Sequence, residues 1–395
     1  MISKLLSLFF FISAVAFSIC SCKKNKVEPE TKELTTPTDK PITSHLSYGN
    51  NCNQYLRTLE NVKLNHLSKT NDDGYVFCGR AFDSEGNYHI YILKTNCFGE
   101  KEWESRVKSQ FNSEATHIIP ASNESYILYT KNQVNSISSF YNLGVIKINK
   151  NGDKVWTIDY DNSSNSYFRN VHLSDDGLAA VALISNSSTV SETIVKIDFD
   201  SNELFQKKLL GNARYHHLSS NSDGTFFAVG ERNNKTMLMK LSAQGDSLWT
   251  KEMSVGGDNS GFHIQSISNS DIIVTGITEN TQSNLNRTIF ISRINSSGTT
   301  IWVKIYDDNQ FIDFKDVGLS ADENLLINVA ENEMDSISSQ LLKVDLTNGS
   351  KLWQRNIGLI LGNTLVGTDD NGVFYLGNVG NLTKSLMRKT DANGY

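Results

Sequence analysis

Apolar residues follow three regimes along this chain. Residues 5–17 form one apolar run behind a single cation, Lys4. Residues 23–48 are dominated by Lys, Glu, Thr and Pro, and carry Pro29, Pro37 and Pro41. From residue 49 onward, short apolar runs alternate with polar turns such as those in "NDDGYVFCG", "SDGTFFAVG", "SDIIVTG" and "DDNGVFYLG". Asp-Gly and Asn-Gly between two apolar runs signal a hairpin, because these residues tolerate positive φ. No stretch beyond the first run keeps a helical period, so strands are the expected element.

The turns belong to a longer repeat. "ILKTNCFGEKEW", "VIKINKNGDKVW", "IVKIDFDSNELF", "LMKLSAQGDSLW", "ISRINSSGTTIW" and "LLKVDLTNGSKLW" share one layout, and "LMRKTDANGY" is a seventh that stops at the C-terminus. Their aromatic landmarks are Trp103, Trp156, Phe205, Trp249, Trp302 and Trp353, at intervals of 53, 49, 44, 53 and 51 residues. Each unit of about 50 residues offers an inner strand, a hairpin partner, a third strand ending on Lys or Arg, and a fourth bearing the aromatic. Four short strands at this period predict a propeller blade. Seven second and third strands are present but only six aromatic fourth strands follow them. The segment around Gln54–Leu59 is expected to supply the seventh, so that an N-terminal strand closes the ring and leaves no open edge there. The expectation is all-β: a seven-bladed propeller of four-stranded antiparallel blades over 49–395, with eight blades as the alternative.

The first two regimes read as an address and a tether. A short positive start, an apolar core too short for a comfortable span, and the ending Ile19-Cys20-Ser21-Cys22 resemble the lipobox of bacterial lipoproteins. That resemblance implies a signal over 1–21, lipidation of Cys22, and anchoring in the cell envelope at the outer membrane, periplasmic or surface-exposed. Residues 22–48 cannot bury enough apolar surface to offset ordering entropy, and are expected to form a flexible tether.

The turn-plus-Trp layout of "LLKVDLTNGSKLW" resembles the repeats of the quinoprotein-like (PQQ-like) propeller superfamily, and of uncharacterised bacterial propeller lipoproteins. The resemblance spans about residues 50–395 and implies architecture rather than activity. Quinone-dependent members often hold the cofactor with adjacent cysteines, whereas Cys52, Cys78 and Cys97 are scattered here, so no quinone is expected. Cys52 and Cys97 are a candidate disulfide; Cys78, inside an apolar strand, reads as a buried thiol.

Composition narrows the function only slightly. A net charge of −6 gives none of the basic footprint that nucleic-acid binding requires. The chain lacks GxSxG, HExxH, Walker-type and CxxC motifs. Three constellations remain. His66, His117, His172, His217 and His263 precede the hairpin turns of five units and are expected at one height on the inner strands. There they either hydrogen-bond neighbouring blades or bind a divalent metal. Asp72, Asp73, Glu124, Asp175, Asp176, Asp223, Asp271, Asp322, Glu323, Asp369 and Asp370 lie in the turns themselves. Turn formation accounts for them better than calcium binding does. Phe82, Tyr88, Phe140, Tyr141, Phe168, Tyr215, Phe262 and Phe314 sit in or beside the loops of the opposite face, as a ligand face or as blade packing. The repeated tryptophans are assigned to packing. The resulting expectation is a membrane-anchored, non-catalytic binding or assembly propeller whose ligand is protein or glycan. The alternative is a carbohydrate-active or metal-dependent enzyme using channel His and Asp residues.

Overall fold

The computed structural model describes residues 55–395, apart from 136–140, 161–165, 175–178, 187–190, 210–212, 268–269, 280–286, 307–310, 334–335, 359–360 and 380–383. The expected signal and tether, Cys22, Cys52 and Phe140 therefore lie outside the described residues. Among the described residues, the chain forms 28 strands in seven four-stranded sheets.

Blade one holds β2 (Val62–Lys69), β3 (Tyr75–Phe82), β4 (Tyr88–Thr95) and β5 (Lys101–Val107). Blade two holds β6 (Ser113–Ala121), β7 (Ser125–Gln133), β8 (Tyr141–Ile148) and β9 (Lys154–Tyr160). Blade three follows with β10 (Ser166–Leu173), β11 (Ala179–Asn186), β12 (Ser191–Asp198) and β13 (Glu203–Lys208). Blade four is β14 (Arg214–Ser220), β15 (Phe226–Arg232), β16 (Lys235–Leu241) and β17 (Ser247–Met253). In blade five come β18 (Asn259–Ser266), β19 (Ile272–Glu279), β20 (Arg287–Ile294) and β21 (Thr300–Tyr306). Blade six is β22 (Phe311–Leu319), β23 (Leu325–Glu333), β24 (Ser336–Val344) and β25 (Lys351–Gly358). Blade seven joins β26 (Leu361–Gly367), β27 (Val373–Val379) and β28 (Lys384–Lys389) to β1 (Tyr55–Glu60).

The expected seven blades and their N-terminal closure are what the chain forms. β1 pairs antiparallel with β28, from Tyr55 opposite Lys389 to Glu60 opposite Lys384. Tyr55 takes the place of the missing landmark aromatic and packs edge-on against Phe374 at 5.6 Å. The apolar core is divided in the same way as the ring. Each of seven buried clusters lies at one blade–blade boundary, such as Ile127, Tyr129 and Val145 of blade two against Phe168, Ala182 and Val195 of blade three. Stability in such an array is a sum over neighbouring interfaces.

Two repeated devices hold the array together, the first between blades and the second within a blade. The outer-strand aromatic lies on the third-to-fourth-strand turn of the next blade. A Cβ on Gly349, at φ 73°, would stand 2.9 Å from the Trp302 ring, so the turn needs glycine for its handedness and for its approach. Where blade three has no such glycine, Ser201 takes the positive φ (76°), and Trp156 Nε1 donates to Phe199 O at 3.3 Å. The second device is ionic and adds to the turn reading of the acidic residues, since Asp72, Asp223 and Asp370 also accept from the backbone N–H two residues on. Lys94, only 2% exposed, donates to Asp72 at 2.8 Å, and Arg293–Asp271, Lys343–Asp322 and Lys389–Asp370 repeat the pair. Burial alone would raise the Asp72 carboxyl, but hydrogen bonds from Lys94 and Thr70 outweigh it and hold it below its ordinary value. These carboxylates belong to third-strand cations, and Asp175 and Asp176 lie outside the described residues.

Candidate functional site

The seven inner strands surround a channel of about 730 Å³. Each carries a one-residue bulge at the same place, for instance between Leu64 and His66, Tyr215 and His217, and Gly261 and His263. The bulge explains the glycine that ends the second-strand pattern. A Cβ on Gly79 or Gly230 would meet the inner-strand carbonyl of Lys63 or Arg214 at 2.0 Å. Because a bulge places two residues against one, it turns consecutive side chains toward the channel.

The residues just past the bulge form one tier: His66, His117, Asn170, His217, His263, Asp316 and Thr364. Four of the five expected histidines stand there. His172 does not: it pairs with Val181, two places beyond Asn170, at the level of Ser68. Matching the Leu-Ser before the turn set His172 alongside His66, but the strand register makes Asn170 the equivalent residue.

This tier bonds across blade boundaries. Ile118 N–H donates to His66 Nδ1 at 3.5 Å, Leu218 N–H to Asn170 Oδ1 at 3.1 Å, and Leu365 N–H to Asp316 Oδ2 at 2.8 Å. In each, a polar side chain accepts from the backbone of the next blade. The imidazoles pack in pairs, His66–His117 at 5.1 Å and His217–His263 at 3.7 Å between ring centroids. Burial pushes them toward the neutral form, His66 down to about 4, His263 to about 3, and His117 and His217 well below their ordinary value. Burial has the opposite effect on the Asp316 carboxyl, raising it to about 6 against hydrogen bonds from Leu365, Thr364 and Val317. Among the described residues, no group of three His, Cys, Asp or Glu converges as a metal site.

The bulged residues form a second tier that departs from the repeat. Asn65 and Thr116 occupy it in blades one and two, but Arg169, His216, Phe262 and Lys315 occupy it in blades three to six. Arg169 Nη1 lies 2.8 Å from His216 Nδ1, and its other amino group donates to the Tyr167 hydroxyl. His216 stacks on Phe262 at 5.0 Å, with Nε2 3.8 Å from Glu231. Glu231 is held down to about 2, first by His216, against burial, and also by Ser260. His216 and Arg169 were not singled out in the sequence. The adjacent His216-His217 pair was the one available sign, since a bulge allows both to face the channel.

The expected ligand-face aromatics divide. Phe168, Tyr215 and Phe314 are buried in interface clusters and serve packing. Phe82, Tyr88 and Tyr141 are half-buried, with Arg80 4.3 Å from the centre of the Tyr88 ring and Lys131 4.0 Å from that of Tyr141. Phe262 lines the channel in the asymmetric tier, and the buried Phe314 also reaches the lining. Cys78 is buried, with its thiol pushed up by burial, and Cys97 lies half-buried in the β4–β5 turn.

No protein-family profile matches the chain, and no curated protein matches it. Solved structures do. Catalytically inactive virginiamycin B lyase from Staphylococcus aureus, with quinupristin, has a TM-score of 0.52 at 11% identity, over 85% of this chain and 99% of that one. A streptogramin B lyase gives 0.52 at 12%, over 85% and 97%. The WD40 repeats of RRP9 give 0.52 at 12%, over 88% and 99%. At these identities the likeness extends to the propeller fold and not to the PQQ-like repeat in particular. The chain is thus a seven-bladed β-propeller, a fold it shares with both a lyase and a WD40 protein.

Proposed function

We propose that this protein is a non-catalytic binding propeller of the cell envelope, held by lipid on Cys22, which takes a protein or glycan ligand at the channel wall of blades three to five. The observation that supports this reading is the break in repeat symmetry at the bulge. Arg169, His216 and Phe262 set a guanidinium, an imidazole and a benzene ring in succession beside the channel. Flat apolar faces next to fixed donors suit a sugar ring or an extended peptide. WD40 propellers likewise favour a scaffold reading, by analogy of fold alone. Acid–base work by the His216–Glu231 pair is the second reading, favoured by their 3.8 Å separation.

The test is calorimetric titration with a panel of neutral and acidic oligosaccharides and extended peptides, comparing the parent with Arg169→Ala and Phe262→Ala. For a ligand bound by the parent, affinity should fall about tenfold or more in each variant. Equal affinity in parent and variants would remove the wall from the function. Turnover of a bound oligosaccharide, lost in Glu231→Gln, would favour the enzyme. For the anchor, Cys22→Ser should move the protein from the membrane fraction to the soluble one, and retention after a salt wash would refute lipidation.

A further inference from the structure

The outermost strands of the seven blades are sheet edges, and their outward rows are not alike. On β5 that row is Glu102, Glu104 and Arg106, and every other outer strand except β21 includes at least one charged or amide residue. On β21 it is Ile301, Val303 and Ile305, exposed by 52%, 37% and 46%. Three β-branched residues without a charge set this row apart from the other six, and the one cation of the strand, Lys304, lies on its opposite face.

The backbone of two of these residues is turned outward. Ser292 Oγ on β20 donates to Trp302 O at 3.0 Å, so the Trp302 carbonyl faces inward. In an antiparallel strand the direction alternates, which leaves the N–H and C=O of Val303 and Ile305 pointing away from β20, while Ile301 sits in the bulge between the Trp302 and Thr300 pairs.

We infer that the β21 edge is a self-association surface at which two copies of this chain join by antiparallel strand pairing about a two-fold axis at Val303. The occupant is a second copy because the strand is its own complement. About that axis, Ile301 faces Ile305 of the second copy and Val303 faces Val303. Lys304 falls opposite Trp302, a cation against an indole, so no like charges meet. A closed, two-fold contact of this kind gives a dimer rather than a filament. The inference does not depend on the channel wall.

The experiment is light scattering of the full chain carrying Cys22→Ser, up to high micromolar concentration, with three further variants. The parent should reach twice the chain mass. Val303→Lys, which sets two cations face to face on the axis, should be monomeric, while Val303→Thr should still dimerise. Under mild oxidation Val303→Cys should yield a covalent dimer, because facing residues in such a pair lie about 5.5 Å apart, within disulfide reach. Thr157→Cys, the matched position on β9, should not. A monomeric parent, a dimer that survives Val303→Lys, or equal crosslinking at both positions would overturn the inference. So would a parent that dimerises only after removal of residues 23–48, since the edge would then be filled by the chain's own N-terminal segment.

Discussion

At the scale of single residues, the channel histidines tie stability to pH. Folding holds His66, His117, His216, His217 and His263 below the ordinary imidazole value of 6.5. Their contribution is therefore full above 6.5 and is lost as pH falls toward about 4 for His66 and about 3 for His263. Asp316, raised to about 6, has the opposite sign and favours the fold as pH falls through that value. Five groups against two, Asp316 and the Glu192 carboxyl that burial raises, set the direction, so the urea midpoint should be lower at pH 5.5 than at 7.5. His217→Asn should narrow the gap, and equal midpoints in the parent would mean that the rings are hydrated. Backbone contacts are less forgiving. Gly230→Ala forces a Cβ onto the Arg214 carbonyl and should cost about 3 kcal/mol or more by denaturant titration. The histidines were visible in the sequence as a repeated residue, but Asn170 was not. A bulge adds one residue without altering the hydrophobic alternation around it, so alignment on the following turn carried His172 into the wrong tier.

At the scale of the element, each blade is a four-stranded sheet that cannot bury both faces alone. The Lys motif and the aromatic, both legible as landmarks, join successive elements in different ways. Lys94, Lys240, Arg293, Lys343 and Lys389 reach back to a turn carboxylate of their own sheet, whereas the aromatic, and Lys147 with it, reaches forward to the next blade. Trp302 is half-buried, with Gly349 and Tyr306 beside it. Trp302→Ala should then cost about 2 kcal/mol, below the roughly 3–5 kcal/mol of a fully buried ring. A loss beyond that range would place the indole deeper in the boundary. The partners of these landmarks were hidden because loop lengths differ between units and conceal which turn faces which strand. The asymmetric wall was hidden for a related reason: repeat reading favours what recurs, and Arg169, His216 and Phe262 are the residues that do not.

At the scale of the whole molecule, closure depends on one strand. Tyr55 and Leu59 of β1 are buried, and Ser385 Oγ accepts from Leu64 N–H at 2.7 Å across the junction. Deleting residues 49–60 should lower stability by roughly 4 kcal/mol or more, from two buried side chains and an opened edge. Deleting 23–48 should leave the thermal midpoint within about 2 °C. Similar effects of the two deletions would deny β1 its role. Blade number and closure were readable from the count of landmarks, since seven third strands with six aromatic partners leave one strand to be found at the other end of the chain.

The clasp also has a mechanical meaning. The strand that completes the ring is the one that continues directly into the N-terminal segment, so tension carried along that segment is borne first by the six β1–β28 residue pairs. The ring would open at this seam inside blade seven, between the two ends of the chain, before any blade boundary felt the load.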